Sequence, residues 1–272
     1  MNQTSVHDID YRSIAVITGG SSGMGLACAF RFGRHHPLVL ADVNGEKLEQ
    51  AAAELRAVGC SVTPVAADVT KPDSIENLVQ ATKSLGPMKV LLHAAGLSPT
   101  MASGKRIMEV NLVGTALIER AFLPLATHGS VAVLIASTAG HQFAHRNDPA
   151  LRRPLSERFW AEIAADCESP EIAYSVSKRG VIMYCEAVAA EWGAKGARIV
   201  TIVLYLNSHW DGRTGGELRL FDATFGHRDI APLGGRLVCF LTEGREHEVL
   251  PARRTRLSLT GWFRSRGVGA PF

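Results

Sequence analysis

The run Thr18-Gly19-Gly20-Ser21-Ser22-Gly23-Met24-Gly25 constrains this chain more than any other feature, because of what flanks it. It follows the apolar stretch Ile14-Ala15-Val16-Ile17 and opens into Leu26-Ala27-Cys28-Ala29-Phe30, which has helical character. A buried strand that breaks into a glycine-rich turn and then a helix forms a dinucleotide pyrophosphate site. Gly19 permits the tight turn, Gly23 lets backbone approach the phosphates, and Gly25 lets the helix lie close on the strand. The helix start then offers unpaired N–H groups and partial positive charge to the anion. An ordinary glycine-rich turn is the bland alternative, and the strand and helix on either side argue against it.

The pattern continues through the first two thirds of the chain. Apolar runs at 13–18, 37–42, 61–66, 88–93, 130–136 and 197–204 alternate with helical stretches such as Glu46 to Val58 and Ser74 to Leu85. Apolar strands separated by amphipathic helices predict an α/β fold with a doubly wound parallel sheet. At 272 residues and 46% hydrophobic, the chain suits a single domain, with 11–204 as its core.

Composition excludes several classes. The +3 net charge arises entirely after residue 198, where ten arginines face seven carboxylates, and it forms no basic run with interleaved aromatics. That argues against nucleic acid as a partner. No apolar run approaches the ~18 residues of a membrane span, and Met1 to Arg12 carries no apolar signal region. Five scattered cysteines form no CxxC pair, so free thiols and a cytoplasmic location are expected.

Asp42 ends the second strand, at the distance of about twenty residues where a carboxylate accepts the adenosine ribose hydroxyls and repels a 2′-phosphate. NAD is therefore the expected cofactor, although Asp42 or Asn44 could also cap the following helix. Ser22 adds no positive charge against that preference. Asp68, after the third strand, is placed for the adenine amino group or for a strand-end cap.

Three further segments supply chemistry. Ser137 ends the fifth apolar run, Tyr174 and Lys178 lie four apart on one helix face, and Asn111 precedes that strand on a helix. A tyrosine titrates near ~10 when free, and an adjacent ammonium favours its phenolate. Tyr174 can thus act as general acid/base, with Ser137 donating to the substrate oxygen. Lys178 would also hold the nicotinamide ribose, and Asn111 would orient a water between Lys178 and solvent.

The set Thr18-Gly19-x-x-x-Gly23-x-Gly25, Asp42, Asp68-Val69, Ala94-Ala95-Gly96, Asn111, Ser137 and Tyr174-x-x-x-Lys178 resembles the short-chain dehydrogenase/reductase family. The resemblance implies a Rossmann fold, a nicotinamide cofactor and oxidation of alcohols or reduction of ketones. It places cofactor contacts at Gly19, Ser21, Ser22, Gly23, Met24, Gly25, Asp42, Asp68, Val69, Ala95, Gly96, Tyr174 and Lys178, and implies a homo-oligomer, dimer or tetramer. His93 stands where many members have asparagine.

Two segments depart from the family. Residues 138–173 form a long insert, with Phe143, His145, Arg152-Arg153, Trp160 and a helical stretch from Leu155 to Cys167. Its placement is similar to that in bacterial 3α-hydroxysteroid dehydrogenase/carbonyl reductase members, which implies a position beside the substrate mouth and a steroid-like substrate. His141 and His145 have helical metal-ligand spacing but no evident third ligand, so no metal is expected.

After residue 201 the family's Ser-Pro-Gly turn and Val-Asp-Gly-Gly ending are missing. Divergence is one explanation, and a change of reading frame in GC-rich DNA is another. The atypical tail, 205–272, has little apolar periodicity beyond Arg236 to Leu241 and is expected to be largely irregular. Two functions remain: an NAD(H)-dependent oxidoreductase of a secondary alcohol and ketone, or a nucleotide-binding protein with impaired turnover.

Overall fold

The computed structural model describes residues 13–137, 139–142, 148–201, 203–204, 211–222, 226–233, 237–238 and 247–253. Strands and helices alternate from the start: β1 (Ile14–Thr18), α1 (Gly23–Phe32), β2 (Leu38–Asp42), α2 (Gly45–Ala57), β3 (Val62–Ala66), α3 (Pro72–Leu85) and β4 (Met88–His93). There follow α4 (Gly104–Met108), a π-helical turn (Glu109–Gly114), α5 (Thr115–Phe122) and β5 (Val131–Leu134). The insert holds α6 (Ala139–Gln142) and α7 (Phe159–Ile163), and α8 (Pro170–Ala194) leads into β6 (Arg198–Thr201). The remaining strands are β7 (Val203–Leu204), β8 (Leu218–Asp222), β9 (Gly226–Ile230), β10 (Leu237–Val238) and β11 (His247–Val249).

Six strands form one parallel sheet in the order β3-β2-β1-β4-β5-β6. The doubly wound prediction is correct. Chain order reverses between β1 and β4, and at such a reversal the loops beyond the strand ends diverge to open a crevice. Thr18 lies opposite His93 in the β1–β4 register, so both strands end at this point.

Alternation of side chains divides the core in two. Ile14, Val16 and Leu91 pack in a cluster with α3, α5 and α8, whereas Ala15, Ile17, Val90 and Leu92 pack with α1 and α2. The helices start where the sequence provides acceptors or the fixed φ of proline. Asn44 accepts from the Lys47 amide at 3.0 Å to open α2, and Ser169 accepts from Ile172 to open α8 ahead of Pro170.

One polar contact ties α5 to α8. Glu119 is fully buried and accepts from the Tyr184 hydroxyl and the Trp192 indole, each at 2.6 Å. Burial pushes its carboxyl above the usual range, against the opposing effect of those two donors.

The structure also departs from the expectations drawn above. The predicted helix from Leu155 to Cys167 is shorter: α7 ends at Ile163 and continues as a 3₁₀ turn, Ala164–Cys167. The predicted strand 197–204 is divided. Its first half pairs with β5, while β7 pairs antiparallel with β10. In the tail, expected to be largely irregular, β11, β8 and β9 form a short antiparallel sheet in that order. Alternating Leu218, Leu220 with Arg219, and the Arg219–Asp229 pair at 2.7 Å across β8 and β9, give short strands a pattern that a search for long apolar runs passes over. Phe143, His145, Trp210, Cys239 and residues 254–272 lie outside the described residues.

Glu119 gives a stability test. Glu119→Leu leaves two buried donors without an acceptor and should cost about 2–4 kcal/mol in chemical denaturation. Glu119→Gln keeps an acceptor and removes the buried charge, so it should stay within about 1 kcal/mol of wild type. Because the folded carboxyl titrates above its unfolded value, wild-type stability from this group falls as pH rises between the two values. The comparison should therefore shift toward the glutamine variant over that window.

Candidate active site

The glycine turn sits at the β1–β4 reversal, and two of its glycines leave no space for a side chain. Gly19 has φ +68°, and a Cβ there would lie 2.5 Å from the Ala95 amide nitrogen. A Cβ on Gly25 would collide with the Gly19 carbonyl, so α1 can lie on β1 only with glycine at that position. Gly23, with φ +53°, has no heavy atom within 4 Å of its Cβ direction. The resulting arrangement is a backbone cradle at a helix N-terminus, open where a pyrophosphate would lie, and it fits a dinucleotide.

Asp42 closes one side of the cradle. Its Oδ2 accepts from the Ser21 amide at 3.1 Å and the Ser21 hydroxyl at 2.7 Å, and its Oδ1 accepts from the Asn44 amide at 3.2 Å. It therefore braces the glycine turn, while Asn44 takes the capping role. A carboxylate has about four acceptor positions, so this bracing leaves room for a ribose hydroxyl.

Asp68 is more heavily engaged. Its Oδ1 takes the Thr70 amide and hydroxyl at 2.9 and 2.7 Å, and its Oδ2 lies 3.6 Å from Arg106. Burial alone would raise this carboxyl, but the Thr70 hydrogen bonds and the Arg106 and Lys71 charges hold it below the usual range. Val69, beside it, is buried against Gly114 of the π-helical turn.

Two of the expected catalytic residues, Asn111 and Lys178, meet at Gly96. A Cβ on Gly96 would be 3.2 Å from Asn111 Oδ1 and 3.7 Å from Lys178 Nζ. Asn111 is in the π-helical turn, and its amide clamps Leu97: Leu97 N donates to Oδ1 at 2.7 Å and Nδ2 donates to Leu97 O at 2.9 Å. Lys178 Nζ donates to the Ile135 carbonyl at 2.8 Å and lies 5.9 Å from the centre of the Tyr174 ring. Burial pushes the lysine down to about 8. Ser137 is buried, accepts from the Ala139 amide at 3.2 Å, and is followed by Gly140, whose Cβ would meet the α8 backbone at Lys178 and Arg179. That close approach sets the serine turn directly on the helix that carries Tyr174.

A cavity of about 550 Å³ lies apart from this group. It is lined by Thr70, Lys105, Glu109, Val113, Trp160 and Cys167, between the insert and the outer side of the π-helical turn.

A cradle for a dinucleotide pyrophosphate beside a serine, a tyrosine and a buried lysine defines a nicotinamide-dependent oxidoreductase of alcohols and ketones. Comparison with known proteins agrees. Residues 13–147 match the short chain dehydrogenase family. The chain is 31% identical to 1-deoxy-11-beta-hydroxypentalenate dehydrogenase of Streptomyces arenae, over 90% of this chain and 96% of that one. It is 29% identical to D-threitol dehydrogenase of Mycolicibacterium smegmatis, over 78% and 80%. A solved actinorhodin polyketide ketoreductase variant with NADPH is similar at 26% identity and a TM-score of 0.52, covering 71% of this chain and 69% of its own. The chain belongs to the short-chain dehydrogenase/reductase family.

Residues 186–264 match a second family, the 2OG-Fe(II) oxygenase superfamily. The sequence reading did not anticipate this match; the segment contains His209-x-Asp211 and His247, residue types that a two-histidine, one-carboxylate iron site uses. His209 lies outside the described residues. Asp211 caps a 3₁₀ turn, Gly212–Thr214, and its Oδ2 is held by Arg213 at 3.0 and 3.1 Å, which keeps its carboxyl below the usual range. No three His, Cys, Asp or Glu side chains converge on a metal position among the described residues.

Lys178 makes a sign-specific prediction. Its folded value of about 8 lies below the unfolded 10.5, so the unfolded chain binds more protons between those values and wild-type stability rises across them. Lys178→Met should therefore be more stable than wild type at pH 7, by about 1–3 kcal/mol, with the advantage shrinking as pH climbs from 8 to 10.5. Denaturant titrations at pH 7, 8.5 and 10 would measure it, and a constant difference would contradict the assigned burial cost.

Proposed function

We propose that this protein is an NAD(H)-dependent oxidoreductase interconverting a secondary alcohol and a ketone, with a substrate of steroid-like build. The observation that carries the reaction is the convergence of Asn111 and Lys178 on Gly96, with Tyr174 and the Ser137 turn on the same helix. Asp42, bonded to Ser21 beside the cradle, supports NAD(H) over NADP(H), since a 2′-phosphate would meet a like charge. The relatives named above act, by their names, on a hydroxypentalenate and on threitol.

Bound nicotinamide supplies the hydride acceptor or donor. Tyr174 takes the carbinol proton in oxidation and returns it in reduction, and Ser137 donates to the substrate oxygen as charge develops there. Lys178 favours the phenolate and holds the ribose, and Asn111 fixes the backbone at Leu97 that frames the pocket. We place the insert beside the substrate mouth and the protein in the cytoplasm as a homo-oligomer, in keeping with the free thiols of Cys28, Cys60, Cys167 and Cys185.

The test combines binding and turnover. NAD(H) should bind about ten- to a hundredfold more tightly than NADP(H). Tyr174→Phe should lower kcat by ~10²–10⁴ with NAD affinity kept. Equal affinities would remove Asp42 from its role, and residual turnover above that range would point to another proton donor. Cofactor binding by wild type with no turnover on hydroxysteroids or simple alcohols would favour the alternative, a nucleotide-binding protein with lost activity.

A second reading concerns the tail. The match of residues 186–264 to an iron oxygenase family, with the antiparallel β11-β8-β9 sheet, supports descent of this segment from that family. A frame-shifted segment has no reason to carry another family's pattern, so the match favours descent over a change of reading frame. If the iron ligands persist, anaerobic titration with Fe(II) should show one site of micromolar affinity or tighter, about tenfold or more weaker in Asp211→Ala. Equal Fe(II) affinity in wild type and variant would leave the tail without its metal function.

A further inference from the structure

His93 is the buried titratable group that the reaction described above does not use. It is 1% exposed at the end of β4, its Nδ1 lies 2.7 Å from Thr18 Oγ1, and its Nε2 has no hydrogen-bond partner among the described residues. An enclosed ring nitrogen left alone is destabilising, so its retention calls for a partner small enough to enter a closed space, and water meets that requirement.

The surroundings say where such a water would act. Strand alternation puts His93 on the same face as Leu91, which packs in the cluster shared with α8 and the π-helical turn. The His93 carbonyl accepts from the Ile135 amide at 3.2 Å, and the Ile135 carbonyl accepts from Lys178 Nζ at 2.8 Å. Lys178 thus hangs from the residue that His93 pairs with. One ammonium proton is spent on Ile135, leaving two to donate. Asn111 has little capacity left for a water, because both ends of its amide are used on Leu97 and Nδ2 stands 3.5 Å from Ser177 Oγ.

We propose that His93 is a positioning residue for the proton relay, holding through Nε2 a buried water that also accepts from Lys178. The inference rests on the dehydrogenase reading. It requires the tautomer in which Nδ1–H donates to Thr18 Oγ1, leaving Nε2 as acceptor. Burial, and then the neighbouring Lys178 ammonium, push the ring down to about 3, so it is neutral at any working pH. From β1 the ring meets Thr18, from β5 Ile135 bonds only the His93 carbonyl, and from α8 Lys178 is the one charged group acting on the ring among the described residues.

The experiment is the pH profile of kcat/KM for alcohol oxidation in wild type, His93→Leu and His93→Gln. Loss of the water's acceptor weakens support for the ammonium and hence for the Tyr174 phenolate. The acid limb in His93→Leu should therefore move up by about half to one pH unit, with NAD affinity within about twofold of wild type. His93→Gln should bring the limb back toward wild type. Variants that scale the rate equally at every pH would show a merely structural role and overturn the proposal. Should His93→Leu fail to fold, ¹⁵N histidine spectra of the NAD-loaded wild-type chain decide the matter: Nδ1–H supports it and Nε2–H overturns it. Those spectra are independent of turnover, so an inactive wild type would sink the dehydrogenase reading without deciding the tautomer.

Discussion

The close approach of two strand exits supports everything else at this site. β1 and β4 end side by side, and beyond them Gly19 passes so near Ala95 that no side chain could stand between. That contact lets the two loops lie back to back, with α1 leaving on one face of the sheet and the Leu97–Asn111 clamp forming on the other. If the exits were held further apart, the phosphate cradle and Gly96 would no longer share one crevice. The cradle and the catalytic group are therefore parts of one geometric solution at the reversal in strand order.

The reaction group is held by backbone more than by side chains. Lys178 hangs from Ile135 O, Asn111 grips both polar atoms of Leu97, and Gly140 brings the Ser137 turn onto α8. Such holding suits a buried lysine. Its ammonium is disfavoured by burial, yet it remains where one carbonyl and an adjacent aromatic ring face it. The cost in stability thus falls on Lys178 itself, which burial disfavours as an ammonium.

Periodicity made the six parallel strands legible in the sequence, because each is an apolar run bounded by a turn or cap. The glycine loop and the Tyr174–Lys178 pair were legible because each is a fixed-spacing pattern within a short segment. The roles of other polar residues were less so. Asp68 reads in sequence as an adenine contact or a strand-end cap, and Thr70 and Arg106, 2 and 38 positions on, occupy it. Asn111 reads as a residue on an ordinary helix, and only the π-helical turn shows why its amide reaches Leu97. Glu119, an unremarked charge in the linear chain, proves to be the buried tie between α5 and α8 because Tyr184 and Trp192 come from 65 and 73 residues away.

The short strands of the tail were not legible in the sequence for a different reason. Burial in a parallel sheet writes continuous apolar runs, whereas short antiparallel strands write alternation over three to five residues, broken here by Gly215-Gly216 and Gly226 at positive φ. A criterion tuned to the first pattern counts the second as irregular. The change of pattern begins in the few residues where β6 leaves the parallel sheet and β7 pairs antiparallel with β10. The same stretch falls inside the match to the second family, which starts within α8. The loss of lysine, the missing nicotinamide-side turn and the antiparallel strands all fall within residues 186–264, the segment that matches the second family.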